Sequence, residues 1–234
     1  MIKLALIGKN IQHSRSPEIY RKLLKTELQY DLLDIENDTL IPSVAELFKT
    51  YDGISITSPY KKHFLDEVFL SEKVHKLAAI NCLIKDAGGF IGENTDYIAI
   101  VEILQKLKLK HGNLNAIILG DGVMSGIVQY ALEEVGIDNR IYARRITKNL
   151  DQLNITDLFE KDFKIPNPKL VINTCSRDFI FSGIIDRSTL FWDFNYDFAP
   201  HLNLLKNKAH YMDGLELLEL QARHALSFWS INSI

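Results

Sequence analysis

The sequence predicts an α/β protein with a largely parallel sheet, arranged as two α/β halves joined by a helix near residue 100. Three observations carry this. Strand-like apolar runs alternate with helix-like amphipathic runs from the first residue. A second strand, glycine turn and helix begins at Ala116. The 234 residues, 47% of them hydrophobic, are enough for one large core or two modest ones.

Taken in order, residues 2–7 read as a short apolar strand. Ser16-Pro17 opens a helix predicted to reach about residue 28, with the serine as its cap and the proline at its first helical position. A second strand is expected over 30–35. A helix is expected over 42–51, where Val44, Ala45, Leu47 and Phe48 share a face. Residues 53–57 make a third strand, followed by Ser58-Pro59, Lys61 and Lys62, and then a helix near 64–69. Strands at 81–85 and 90–92 bracket Asp86-Ala87-Gly88-Gly89, a hairpin turn. A long helix is predicted over 96–109, and the polar stretch 111–115 breaks it. Then come the strand before Gly120, a helix to about 135 and the strand "RIYAR" at 140–144. Residues 164–169, "KIPNPK", read as a plain loop, and 215–229 as a closing amphipathic helix.

The formal net charge is -3, with Lys and Arg interspersed among Asp and Glu, so neither nucleic acid nor an anionic membrane is an expected partner. Cys82 and Cys175 lie far apart without metal-ligand spacing, which predicts unpaired thiols in a reducing compartment and no metal site. The apolar patch at the start is cut off by Gly8, Lys9 and Asn10, too early for a signal peptide, and no apolar run approaches the ~20 residues of a membrane span. The expected location is the cytoplasm.

Residues 116–132, "AIILGDGVMSGIVQYAL", place Gly120 and Gly122 between a buried strand and a helix. A dinucleotide-binding turn needs that context: a tight turn, a close backbone approach for pyrophosphate, and a helix start at Val123 and Met124 whose amides face the anion. The spacing is G-x-G-x-x-x-G, with Ser125 where a third glycine would fall, so a merely structural turn stays open. The next strand ends "YARR". Arg144 and Arg145 stand where a carboxylate would select NAD, and arginine there suits the 2′-phosphate of NADP.

Several stretches together resemble the shikimate dehydrogenase family, in the right order over nearly the whole chain. "HSRSP" (13–17) is similar to H-S-x-S-P, "ITSPYK" (56–61) to N-V-T-x-P-x-K and "AINCL" (79–83) to A-V-N-T-L. "GENTD" (92–96) matches G-x-N-T-D, and the stretch from Gly214 to Trp229 is similar to the family's closing G-x-x-M-L-x-x-Q-A helix. The resemblance implies a substrate domain from 1–98 and 215–234, to which the last helix returns. It implies a Rossmann-like, doubly wound NADP domain over 99–214. The implied reaction is reversible reduction of 3-dehydroshikimate to shikimate by NADPH, in aromatic amino-acid biosynthesis.

The resemblance also assigns roles. Lys61 becomes the catalytic lysine, able to protonate or stabilise the developing alkoxide, with Asp96 as its partner and Lys62 solvated. The competing role for Asp96, or for Thr95, is a helix cap. Ser14 and Ser16 are expected on the substrate carboxylate, and Thr57, Asn81 and Gln221 on ring hydroxyls. Tyr196 is expected near the nicotinamide and substrate, and Gly214 is expected to let the backbone approach that ring. His13 shapes a turn. Departures from the family pattern fall mostly on the cofactor side: "GDGVM" puts Asp121 beside the pyrophosphate site, a like-charge arrangement, and Ile146 replaces a hydroxyl residue. Ser55 stands where asparagine is usual. Besides an NADP enzyme acting as monomer or homodimer, two readings remain: a quinate- or NAD-preferring enzyme, and a binding protein without turnover.

Overall fold

In a computed structural model, which describes residues 1–24, 26–164 and 167–231, the chain divides into two units. One comprises Met1–Ala99 with Leu218–Ile234, the other Ile100–Leu217.

The first unit is built on a mixed six-stranded sheet. Its elements are β1 (Ile2–Gly8), α1 (Ser16–Leu23), β2 (Leu28–Asp34), α2 (Val44–Leu47), β3 (Gly53–Ile56), β4 (Phe69–Leu70), α3 (Glu72–Leu77), β5 (Cys82–Asp86), β6 (Gly89–Glu93) and the start of α4 (Thr95–His111). The strand order is β2-β1-β3-β5-β6-β4. β1 pairs parallel with both β2 and β3, while β5 and β6 form the expected antiparallel hairpin. Because β1 lies between β2 and β3, the chain leaves its carboxyl end toward one neighbour and returns beside the other. That is the switch point at which α/β sheets bind ligands. One apolar cluster joins Leu4, Leu6, Tyr20 and Tyr30 to Ala222, Leu226 and Trp229 of the closing helix, and a second gathers Ile7, Leu47, Ile54, Phe64 and Ile80. The Trp229 indole N–H reaches the Leu83 carbonyl at 2.8 Å, which fixes the closing helix to β5.

Several expected elements differ here. The first helix stops at Leu23, because Leu24 turns extended and feeds β2. Ser16 is its first residue rather than its cap, a position held by Arg15 with no side-chain bond. The 42–51 helix shrinks to α2, capped by Ser43 in a reciprocal box with Glu46. No helix forms at 64–69; residues 61–67 are turns, and Phe69–Leu70 pair with β6 instead. The unexpected α3 follows Ser71, whose hydroxyl accepts the Val74 N–H.

The second unit continues α4 and adds β7 (Asn115–Leu119), α5 (Val123–Val135), β8 (Asp138–Tyr142), α6 (Ile155–Asp162), β9 (Lys169–Asn173), β10 (Leu190–Asp193), α7 (Ala199–Leu205), β11 (His210–Met212) and the first residues of α8 (Leu215–Phe228). Its sheet is wholly parallel in the order β11-β10-β9-β7-β8, a doubly wound arrangement whose switch point lies at the carboxyl ends of β7 and β9. β7 is buried along its whole length, as a strand covered on both faces must be. The predicted strand 140–144 ends at Tyr142, leaving Arg144 and Arg145 in the following turn. Of the expected loop 164–169, residues 165 and 166 lie outside the described residues, and Lys169 opens β9.

Candidate functional site

In the first unit the loops after β1 and β3 meet at the switch point. Gly8 ends β1, and a Cβ there would fall 2.5 Å from both Ile11 and Thr57 side-chain methyls, so only glycine lets the two loops approach. The first loop carries Ser14 and Ser16, linked hydroxyl to hydroxyl at 3.1 Å. Ser16 is buried, and Ser14 is half-buried. The second loop starts at Thr57, whose N–H bonds the Ile7 carbonyl at 2.8 Å, passes a cis Ser58-Pro59 bond and reaches Lys61.

Lys61 is buried and Lys62 exposed, which separates the two lysines. The Lys61 side chain is 9% exposed, and its ammonium donates to Asp96 Oδ2, with that carboxylate side chain 13% exposed. A buried ammonium needs such a partner. The Lys61 carbonyl accepts the Ile80 N–H at 2.8 Å, which anchors the lysine loop to the strand leading into Asn81.

Asp96 is not the cap of α4, and neither is Thr95. The side-chain oxygen of Asn94 accepts the Tyr97 N–H at 2.9 Å, the bond a cap makes. Thr95 is held by Asn81: its N–H donates to Asn81 Oδ1 at 2.7 Å, and its hydroxyl donates to the same oxygen at 3.2 Å. Asp96 is therefore left in the first turn of α4, where the helix dipole favours a carboxylate. The Asn81 oxygen is committed to Thr95, and its amide nitrogen donates to the Thr95 hydroxyl at 3.0 Å and, at the longer distance of 3.5 Å, to Gln221 Oε1. Gln221 in turn donates to the Leu218 carbonyl at 3.0 Å. The sequence expectations name Thr95 and Asp96 as candidate caps and pass over Asn94, although N-T-D before a periodic apolar run is a capping signal.

The Tyr20 hydroxyl lies 3.5 Å from Ser55 Oγ, and the buried hydroxyl of Tyr30, whose ring stacks on Tyr20, has no hydrogen-bond partner among the described residues. Burial raises the pKa of both phenols, so they act as neutral hydroxyls.

In the second unit, Gly120 adopts φ +123°, and a Cβ there would meet Thr174 Oγ1 at 2.5 Å. Ser125, standing where a third glycine was sought, is buried and bonded to the Thr174 hydroxyl at 2.7 Å, which clamps α5 to the end of β9. Gly122 heads α5 with open space where a Cβ would be, and no side chain caps the helix or places an acid in its first turn, which holds Val123 and Met124. An anion fits there. Asp121 does not face that space unopposed: its Oδ2 is 3.2 Å from Arg145 Nε, so the expected like-charge arrangement is answered by an ion pair.

Tyr196 is half-buried in the loop after β10, and its carbonyl accepts from Arg177 at 2.8 Å. That loop is organised by Asp193, fully buried, which accepts from Asn173 and Asn195 and from the Tyr211 hydroxyl. His201 Nε2 accepts the Phe181 N–H, so Nδ1 carries the proton and donates to Asp193 at 2.5 Å. The missing side chain of Gly214 is used by the Phe194 carbonyl, 2.3 Å from where a Cβ would sit, rather than by open space. Burial pushes the Cys175 thiol up to about 11, with Arg144 acting against it. Among the described residues no cluster of three or more His, Cys, Asp or Glu could hold a metal, and no helix is long and apolar enough to cross a membrane.

A family model described as the shikimate dehydrogenase substrate binding domain matches residues 6–83. Shikimate dehydrogenase (NADP(+)) of Clostridium botulinum strain Hall is 28% identical, the match covering 100% of this chain and 98% of that one. Among solved structures, shikimate dehydrogenase from Aquifex aeolicus superimposes with a TM-score of 0.76 at 22% identity, over 98% of this chain and 92% of that one. Shikimate 5-dehydrogenase from Thermus thermophilus in complex with NADP(H) and shikimate gives 0.71 at 21% identity, covering 98% and 94%. At these identities the structural likenesses are of fold.

Proposed function

We propose that the chain is a member of the shikimate dehydrogenase family and interconverts 3-dehydroshikimate and shikimate with NADPH and NADP, in keeping with the substrate-domain match and the relatives above. The observation that carries the reading is the buried Lys61–Asp96 pair on the unit that also bears Ser14, Ser16, Thr57, Asn81 and Gln221. In this reading residues 1–98 and 215–234 bind the substrate and 99–214 the nucleotide, in a cytoplasmic monomer or homodimer.

Bound NADPH supplies the hydride for the ketone. Lys61 delivers a proton to the oxygen that becomes alkoxide and stabilises its charge, and in the reverse direction takes that proton from the hydroxyl. Asp96 keeps the ammonium aimed from the start of α4. Ser14 and Ser16 donate hydroxyl protons to the substrate carboxylate, while Thr57, the Asn81 amide and Gln221 read ring hydroxyls. Tyr196 would serve the nicotinamide and substrate, and Gly214 keeps the chain close to the Tyr196 loop. Gly120, Gly122 and the amides of Val123 and Met124 would hold pyrophosphate, with the turn that carries Arg144 and Arg145 toward the 2′-phosphate. The uncapped start of α5 and the open space at Gly122 support that assignment.

The test follows the absorbance of reduced nicotinamide with purified protein, pairing shikimate or quinate with NADP or NAD. Reduction of NADP by shikimate is the expected result. Turnover with quinate or NAD in its place would move the protein to a sister activity. A folded sample that binds shikimate without turnover would make it a binding protein.

A further inference from the structure

The two arginines after β8 are not equivalent. Arg145 Nε lies 3.2 Å from Asp121 Oδ2, so its charge is spent on the carboxylate between the two loop glycines. Arg144 makes no ion pair among the described residues. With Thr147, Lys148 and Asn149 it lines a cavity of about 560 Å³. Two carboxylates, Asp151 and Asp178, also line it, and Arg144 and Lys148 balance them. Arg144 follows β8, and the same cavity is lined by Asp178, Phe179 and Ile180 from the chain after β9, at the carboxyl ends of the sheet. The hydroxyl missing at the exposed Ile146 reappears one residue on, at the half-buried Thr147 on the same cavity.

We propose that the arginines divide the work: Arg145 neutralises Asp121 so that the loop accepts a pyrophosphate, and Arg144 with Thr147 reads the 2′-phosphate that separates NADP from NAD. The assignment rests on the reading of the protein as an NADP-dependent dehydrogenase. It gives the departure at Asp121 a compensating partner and separates two arginines that the sequence treats alike. A planar guanidinium offers a phosphate two parallel N–H donors, whereas one already engaged by a carboxylate has fewer to give.

Calorimetric titration with adenosine 2′,5′-bisphosphate and adenosine 5′-monophosphate tests it without turnover. Wild type is expected to bind the bisphosphate ~10-fold or more tighter than the monophosphate, a charge-assisted bidentate contact being of that order. Arg144→Gln should bring the ratio to within ~3-fold of unity. Arg145→Gln should weaken both probes alike and leave the ratio in place, because Asp121 then opposes the phosphate common to both; adding Asp121→Asn should restore both affinities. All three side chains are exposed, and thermal unfolding checks that each variant folds. A ratio that survives Arg144→Gln, or collapses in Arg145→Gln, overturns the assignment alone. A wild-type ratio near one overturns the NADP reading and this assignment with it.

Discussion

The side chain of Asn94 accepts the backbone N–H of Tyr97 at 2.9 Å and, through its amide, donates to the Ala79 carbonyl at 2.9 Å. One fully buried residue thus starts α4 and ties it to the chain entering β5, leaving the next two positions free for other work. Asn94→Ala should cost about 2 kcal/mol in urea unfolding, the loss of a cap plus a buried carbonyl left unpaired. Asn94→Asp, which keeps the cap oxygen but not the amide, should fall between that variant and wild type. A loss below about 0.5 kcal/mol for the alanine variant would mean that another group caps α4.

The consequence for chemistry is that Asp96 serves Lys61. Lys61→Met should lower kcat by ~10²-fold or more while the KM for NADP stays within a few-fold, since in the proposed mechanism the residue acts on a proton and not on nucleotide. Asp96→Asn should lower kcat less, because the amide still accepts a hydrogen bond while its charge is gone. Steady-state kinetics on folded variants decide this, and turnover within a few-fold for Lys61→Met would remove it from the mechanism.

Much of this was legible in the sequence because it is local. The G-x-G turn, the Asp86 to Gly89 hairpin and the run of Thr95 to His111 are set by residues within a few positions of one another. Residues 64–69 looked helical by their apolar spacing, but Phe69 and Leu70 find backbone partners on β6, and tertiary pairing overrides the local pattern. Likewise the first helix ends early because Leu28 and its neighbours are needed beside β1. Contacts between distant residues left no local trace: Asp121 with Arg145, Ser125 with Thr174 and Asp193 with His201 appear only once the strands are in register.

Gly120 tests the proposed cofactor loop at one atom. Its φ of +123° lies where side chains are strained, and an added Cβ would sit 2.5 Å from Thr174 Oγ1, a hydroxyl already bonded to the Leu119 carbonyl. Gly120→Ala should destabilise the protein by about 1–3 kcal/mol and weaken nucleotide binding further than that strain alone, because the loop must shift. Chemical unfolding and calorimetry with NADP separate the two effects. Unchanged affinity in a destabilised variant would show that the loop backbone does not approach the nucleotide.

Acid stability should depend on Asp186. Burial pushes its carboxyl up, but hydrogen bonds from Lys169 and Ser188 and the lysine charge hold it at about 2, below the ordinary 3.8. A carboxyl with a lowered folded pKa stabilises the native state fully above its unfolded value and loses that contribution as pH falls through its folded value. The window is therefore pH 4 down to 2. Because the Asp186 side chain is 32% exposed, solvent screening limits the contribution to about 1 kcal/mol. Lys169→Met should thus be less stable than wild type by about that amount at pH 6, with the gap closing toward pH 2 as Asp186 protonates in both proteins. Urea midpoints at a series of pH values read the effect directly. A gap that stays constant from pH 6 to 2 would assign it to the lost contact of the lysine ammonium with the Phe159 ring, whose centroid lies 6.0 Å from Lys169 Nζ, rather than to the Asp186 pair.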